Sequence, residues 1–405
     1  MNKSIISEPT ELHSWVDGNT GRRVQQLTNE PNGAMLTYFR YFRHLPDGRM
    51  LIAIIGDRNM DGIHPANATR PSDISGERFH SGAGALNPAS GELEYLNYPS
   101  HNMKLRINDG RIWYLQRSSG ELWTAQLPSG KPELVTHLPE EIASHIVDIT
   151  CDGSTLILEE HISETPVSLA NDLDTHELWL HFNRRRSGSL FTYDIATATR
   201  RKLFDTQDVS IFHIDTSPTD PTLIRYAHDM LECTGQRMFT VRTDGSQLHA
   251  IRPQEYGEMI THEFWWADPA CIGFTYQDRR GDSTVQEIPL CEYAPVSTHL
   301  GIANLAGEQV YLSDALNSYH SHLNVSRRGD LVCGEGTDGN SFVFAAPFSW
   351  QSTKIDFAPM ATIHTPYHPM KGQNVNADFS ADSKWILFND TIDGRLQVCR
   401  VQVEL

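Results

Sequence analysis

The sequence predicts an all-β protein, a seven-bladed β-propeller, on three observations. A turn-and-strand unit recurs seven times, no long helical pattern or linker interrupts the copies, and strand-like segments at the two ends lack a blade of their own. Each copy pairs a turn, in the clearest cases Asp-Gly, with a short strand of β-branched and aromatic residues. The clearest copies are Asp47-Gly48 before Met50 to Ile55, Asp109-Gly110 before Arg111 to Gln116, and Asp152-Gly153 before Ser154 to Glu160. Four weaker copies follow at Pro221 to Ala227, Ala270 to Tyr276, Leu331 to Gly334 and Lys384 to Asn389. Their spacings of roughly 43 to 69 residues fit propeller blades with loop insertions.

Partner strands follow most copies, as in Gly188 to Ile195, Arg237 to Arg242 and Ser341 to Ala346. Arg23 to Thr28 precedes the first full copy, and Leu396 to Leu405 alternates with period two at the other end. These two segments are expected to share a blade and close the ring. The whole chain, 1-405, then reads as one propeller domain, with Asp57 to Gly84 as a long polar loop carried by the first blade. A propeller followed by a separate catalytic domain is the competing architecture. It is disfavoured because no Gly-x-Ser-x-Gly elbow stands in a strand-turn-helix setting.

The chain has 405 residues, 39% of them hydrophobic, which suffices for a core built from short, evenly spread strands. Its 33 Lys and Arg against 51 Asp and Glu give a formal charge of -18. Such a surface repels phosphate backbones, so nucleic acid is not an expected partner. An anionic sugar is repelled at long range too, and any site for one must be a local basic patch. The first fifteen residues hold no apolar stretch of the kind that directs secretion, and no window approaches a membrane-spanning length. The six cysteines stand far apart without a Cys-x-x-Cys pair, so reduced thiols in a cytoplasmic protein are expected.

Several blocks resemble the oligogalacturonate lyase family of polysaccharide lyases. They are Asp17 to Thr28, Thr37-Tyr38-Phe39, Leu45 to Ala53, Tyr226-Ala227-His228, Gln236 to Val241, Thr261 to Trp265, Ser321-His322-Leu323 with Gly334 to Asp338, and Gln373 to Asp390. The blocks stand in family order over about half of the chain, and the His-Glu-Phe-Trp block is the most specific. The resemblance implies a cytoplasmic, manganese-dependent lyase acting on oligogalacturonides. It also implies a histidine base, an arginine beside it, and a metal held by histidines and a glutamine.

Eliminating across a 4-linked uronate requires a cation to acidify the C5 proton, a base to remove it, and assistance to the departing O4. His262 is the expected base, since a neutral imidazole is available near neutrality. In a regular strand it shares a face with Phe264, opposite Glu263 and Trp265. Motif alone favours a buried histidine bonded to a carbonyl; the resemblance reverses that preference. Arg237 matches the family arginine, and its permanent charge suits a carboxylate or the enolate formed from it. His228 is a candidate substrate contact with a structural role equally open. Arg184, Arg185 and Arg186 form the densest cationic run; most such runs are solvated faces, but one inward member would bind a second uronate.

For the metal, the resemblance makes His322 a ligand. Where the family has a glutamine and a His-Pro-His triplet, this chain has Gln373, Asn374 and Asn376, and alternation places the two asparagines on one face. One imidazole with carboxamide oxygens is a harder, weaker set than three imidazoles, so manganese is favoured, with calcium or magnesium as alternatives and tight binding in doubt. His364 and His368 are possible substitutes, more simply read as exposed loop residues. Asp57 to Gly62 copies the first half of a calcium loop, but Ala68 stands where a bidentate Glu is needed, so an Asx-rich turn is the simpler reading. The expected activity is β-elimination of 4-linked uronate oligosaccharides. A lyase for a different uronate and a non-catalytic interaction scaffold are the rival readings.

Overall fold

Alternating runs of β-branched and aromatic residues between tight turns produce strands almost throughout the structure, a computed structural model. It describes residues 13–37, 43–55, 80–96, 106–108, 110–116, 119–127, 130–162, 187–207, 209–229, 235–280, 297–316, 322–335, 342–365 and 375–405. The strands form seven antiparallel sheets, the arrangement of a seven-bladed β-propeller. Strands β1 (Ser14–Val16) and β2 (Arg23–Gln26) come first. One sheet then holds β3 (Ala34–Met35), β4 (Met50–Ile55), β5 (His80–Leu86) and β6 (Leu93–Leu96), and the next β7 (Arg106–Asn108), β8 (Arg111–Gln116), β9 (Glu121–Gln126) and β10 (Glu133–His137). A short helix, α1 (Glu140–Ala143), leads into β11 (Ile146–Ile149), β12 (Thr155–Ile162), β13 (Ser187–Asp194) and β14 (Thr199–Thr206).

The following sheets are β15 (Ser210–Thr216) to β18 (His249–Ala250), with β16 (Leu223–Asp229) and β17 (Met238–Arg242) between them, and β19 (Glu258–Trp265), β20 (Cys271–Asp278), β21 (Thr298–Asn304) and β22 (Gln309–Leu312). Then come β23 (Asn324–Val325), β24 (Leu331–Glu335), β25 (Phe342–Pro347) and β26 (Ala358–Thr362). The last sheet takes β27 (Asp378–Phe379), β28 (Trp385–Ile392) and β29 (Arg395–Gln402) from the C-terminal end and adds β2 and β1 beyond β29. The expected sharing of a sheet by the two ends is therefore present, with β2 paired to β29 at Val24↔Val401.

The seven strands expected from sequence are the second strand of each sheet, from β4 to β28. One boundary differs. The polar loop expected to run to Gly84 stops earlier, because residues 80–84 belong to β5 and pair with β4 at Ile54↔Gly82 and Ile52↔Gly84. Gly84 belongs in the ladder for a packing reason: a Cβ there would lie 2.5 Å from the Leu93 side chain. The rest of that loop, including the calcium-like segment, lies outside the described residues.

The chain divides into two compact units, Met1–Gly62 with Ile74–His137 and Leu316–Leu405, and Ile63–Asp73 with Leu138–Ala315. The first holds four of the sheets and the second three. In each, apolar residues from neighbouring sheets interdigitate. Phe379, Phe388 and Cys399 pack with Val343 and Met360 in the first. Ile260, Trp265 and Phe274 pack with Leu223 and Met238 in the second. Between β19 and β20 the Phe264 ring covers Gly273, where a Cβ would lie 2.5 Å from it, so this glycine lets the aromatic close onto the sheet. Among the described residues no helix is long and apolar enough to cross a membrane. Cys151, Cys271, Cys333 and Cys399 are free thiols; Cys233 and Cys291 lie outside the described residues.

The junction of the two chain ends is tied by side chains as well as by the ladder. Thr28 Oγ1 donates to Gln397 Oε1 at 2.8 Å and accepts from the Val398 amide, while Gln397 Nε2 donates to the Glu30 carbonyl. Gln397 is 2% exposed. Gln397→Leu should lower stability by about 1–3 kcal/mol, because the Glu30 carbonyl loses its donor inside the protein. Denaturant unfolding measures this, and an unchanged midpoint contradicts it.

Candidate functional site

Two short histidine-bearing segments, one of them carrying the expected base, are irregular where a strand would be regular. In β19 the register with β20 shifts between Thr261 and Phe264, and His262, inside the bulge, has φ +52°. A left-handed residue in a bulge re-aims its side chain. The face-by-face alternation expected for His262 and Glu263 therefore does not run through this point. The same device occurs in β15, where the register shifts between Phe212 and Asp215 and His213 has φ +47°.

Glu263 is fully buried and collects the cations of three neighbouring strands. His213 Nδ1 donates to Oε1 at 2.8 Å, Arg237 Nε donates to Oε2 at 3.2 Å, and Arg225 Nη1 stands 3.6 Å from Oε1. Arg225 Nη2 also donates to buried Asp215 at 3.2 Å. Burial alone would raise the Glu263 pKa, but Arg237, His213 and Arg225 together hold it well below the ordinary carboxylate range. The carboxylate is thus ionised and has one consequence for each partner. It fixes His213 with the proton on Nδ1, and it orients the Arg237 guanidinium, which is 1% exposed. Arg237 is a buried, braced arginine and not a solvated strand residue.

His228, one strand away in β16, packs against the rings of Phe239 and Tyr226 at 4.4 and 5.5 Å. Burial, with the Arg237 charge adding to it, pushes its pKa down to about 4. It is a neutral imidazole at physiological pH. Arg184, Arg185 and Arg186 lie outside the described residues.

The other unit carries the expected metal ligands. His322 is buried, and its Nδ1 donates to Glu335 Oε1 at 2.5 Å. Glu335 Oε2 accepts from the Ala377 amide at 3.3 Å, so one carboxylate ties His322 to the segment containing Asn376. Asn376 is 1% exposed, with φ +53°. Its Nδ2 donates to the Leu36 carbonyl at 3.3 Å, which identifies the other atom as Oδ1, and that oxygen is buried without a donor. The expected alignment of Asn376 with Asn374 involves a residue outside the described ones. Gln373, Asn374 and His368 lie outside the described residues. His364 is spent elsewhere: its ring is half exposed and its Nδ1 pairs with buried Asp390 at 2.8 Å.

Do these groups fit a divalent cation? With Nδ1 committed to Glu335, Nε2 is the nitrogen that a cation would take, and a carboxylate behind a ligating imidazole is the usual support for one. The orphaned Asn376 oxygen is a second donor of the hard type. Among the described residues no group of three His, Cys, Asp or Glu side chains assembles a site. Among the described residues the expected donors are thus one imidazole and one carboxamide oxygen.

Sequence reading missed His213, Glu263, Glu335 and Arg43, whose side chain donates to the Asn376 carbonyl at 3.1 Å and to Asp378 at 3.3 Å. A signal for His213 was present. His213, His262, His322 and Asn376 each stand four positions before the residue that opens the next turn, Ser217, Trp266, Ser326 and Ser380. The repeat register, read across copies, marks all four.

No family model matches the chain. It is 20% identical, over 96% of its length, to an oligogalacturonide lyase of Pectobacterium atrosepticum, of which 95% is covered. Two solved structures match all of it and 99% of their own chains at a TM-score of 0.71. One is an oligogalacturonate lyase in complex with manganese, 17% identical, and the other is the oligogalacturonate lyase of Vibrio parahaemolyticus, 18% identical. The resemblance to oligogalacturonate lyases carried by separate blocks of sequence thus extends over the whole chain and to its seven-bladed fold.

Proposed function

We propose that this chain is a lyase that cleaves 4-linked uronate oligosaccharides, oligogalacturonides or close relatives, by β-elimination in the cytoplasm. The observation that carries the reading is the bulge of β19. It presents His262 from a left-handed backbone and buries Glu263 beside Arg237, within the block most specific to the resembling family. In this mechanism His262 takes the C5 proton. The freed electron pair forms the C4=C5 double bond, the C4–O4 bond breaks, and the departing oxygen gains a proton to become a hydroxyl. Arg237, braced by Glu263, places fixed positive charge where the uronate carboxylate becomes enolate-like. His228 supplies a neutral wall to the same region. Manganese is favoured as the cofactor by analogy with the manganese-bound relative, with His322, Gln373, Asn374 and Asn376 as the ligands expected from sequence.

His262→Ala should reduce formation of the unsaturated product, read as ultraviolet absorbance on a panel of uronate oligosaccharides, by ~10²- to 10⁴-fold. Circular dichroism should stay unchanged. Near wild-type turnover in that variant removes His262 as the base, whereas no absorbance from the unmodified protein on any uronate overturns the lyase reading itself.

A second expectation concerns pH and stability. The folded state keeps His228 neutral down to about 4, whereas the unfolded chain protonates it near the ordinary ~6.5. The stabilisation is therefore complete above pH ~6.5 and is lost as pH falls toward the folded value. His228→Phe, which preserves the ring packing, should lose less stability than the unmodified protein over this window, by up to about 3 kcal/mol. Parallel stability curves for the two proteins contradict the assignment.

A further inference from the structure

The two oxygens of Glu263 go to different partners, and the one taken by His213 bears on what Arg237 can do. Oε1 accepts from His213 Nδ1 at 2.8 Å, and Oε2 accepts from Arg237 Nε at 3.2 Å. An arginine beside a carboxylate often closes a fork, with two parallel N–H groups on the two oxygens. Here the oxygen that would complete the fork is held by an imidazole. Arg237 Nη2 lies 3.3 Å from the same His213 Nδ1. That nitrogen serves one neighbour at a time: with its proton it donates to Glu263, and without it it accepts from Arg237. An unprotonated Nδ1 at 2.8 Å from an ionised oxygen would set lone pair against lone pair, so the proton stays on Nδ1 and Nη2 faces a donor there.

The backbone prepares this arrangement. His213 is buried and left-handed inside the bulge of β15, and the bulge turns its imidazole onto a carboxylate of β19. Arg225 Nη1 stands 3.6 Å from Oε1, but its Nη2 donates to Asp215, so this second arginine has an anion of its own. The Arg237 main chain is held as well, its amide donating to Gln254 Oε1 and its carbonyl accepting from the His228 amide. The direction of its guanidinium is a separate matter and depends on which oxygens of Glu263 its N–H groups find. Resting on the elimination proposed above, we propose that His213 is a positioning residue: by holding Oε1 it keeps Arg237 from closing a two-pronged pair with Glu263, and so keeps the guanidinium charge directed to the uronate carboxylate. A closed fork brings the two charges together and weakens the field the arginine projects, whereas one bond through Nε steadies the side chain without doing so. Once the imidazole N–H is removed, Oε1 loses its donor inside the fold, and Nη2, 3.3 Å from the lost nitrogen, is placed to replace it.

The experiment measures steady-state formation of the unsaturated product, by ultraviolet absorbance, on a uronate oligosaccharide that the unmodified full chain cleaves. Glycine and asparagine both tolerate a left-handed backbone, so neither strains the bulge at 213. His213→Gly, which removes the N–H, should lower kcat by about 10²-fold and change KM far less, because the guanidinium acts most on charge that develops in the transition state. His213→Asn, which offers a carboxamide N–H in place of the imidazole one, should regain about tenfold or more of that loss. In an Arg237→Lys background, where the side chain cannot close a fork, adding His213→Gly should cost about twofold or less. The full loss repeated in that background, His213→Asn no better than His213→Gly, or His213→Gly with unmodified kcat each overturns the role of His213 and leaves the lyase reading standing. If His213→Gly does not fold by circular dichroism, His213→Asp takes its place, since it presents an acceptor where Asn presents a donor; equal kcat in the Asp and Asn variants then overturns the role. No absorbance from the unmodified protein on any uronate removes the lyase reading and this proposal together.

Discussion

The constraint on which the site rests is the complete burial of the Glu263 carboxylate. An ion removed from water costs several kcal/mol unless opposite charge and hydrogen bonds replace its hydration. The chain meets this cost with groups from one unit: His213 from β15, Arg225 from β16, Arg237 just before β17, and Glu263 itself from β19. Each partner then has its position dictated. The imidazole keeps its proton on Nδ1, and the guanidinium is held by its Nε. In the other unit Glu335 plays the same part for His322. One imidazole in each unit, His213 and His322, is in this sense oriented by a buried carboxylate.

The fold was legible because turn chemistry and strand composition agree in every copy. Asp47-Gly48 and Asp152-Gly153 form turns with glycine at positive φ, and the strands they launch appear at the expected positions. What escaped was of two kinds. Two-residue strands such as β3 and β27 are too short to show a period, and Gly84 reads as loop because the packing that requires it, Leu93 against the sheet, is a tertiary fact. Bulges escaped for the opposite reason. His213 and His262 sit in runs that alternate well enough to pass as regular, while the backbone at each is left-handed and the ladder shifts around it. A residue type can be read from one sequence, but its direction depends on where the ladder slips.

The candidate site was legible where charge and family pattern coincided and obscure where burial decided. His262, Arg237 and His322 carry recognisable neighbours. Glu263 and Glu335 stand inside the same quoted blocks, yet a glutamate in a strand is ordinarily a solvated one, and nothing local says that these two are 0% and 1% exposed. The basic patch that an acidic protein needs for an anionic sugar was sought in an arginine run. The described structure shows a different economy of charge: Arg43, Arg225, Arg237 and Arg279 are among the largest fully buried side chains. Part of the positive charge therefore lies inside the fold, where loss of water strengthens its interactions.

That placement bears on why asparagine stands where the resembling family has histidine. An imidazole donor such as His322 is supported by a carboxylate at its back, which needs to remain ionised and available. Around Asn376 the carboxylates are already engaged: Asp378 by Arg43 and by the Phe379 amide, and Glu335 by His322 and the Ala377 amide. A further imidazole at 376 would have no free anion to orient it and would compete with the guanidinium for the same field. A carboxamide needs no such partner. Its nitrogen is anchored on the Leu36 carbonyl, and its oxygen is offered without a proton to lose. Asn376 thus belongs to one hydrogen-bonded group with Arg43 and Asp378, its backbone carbonyl and its carboxamide nitrogen both engaged.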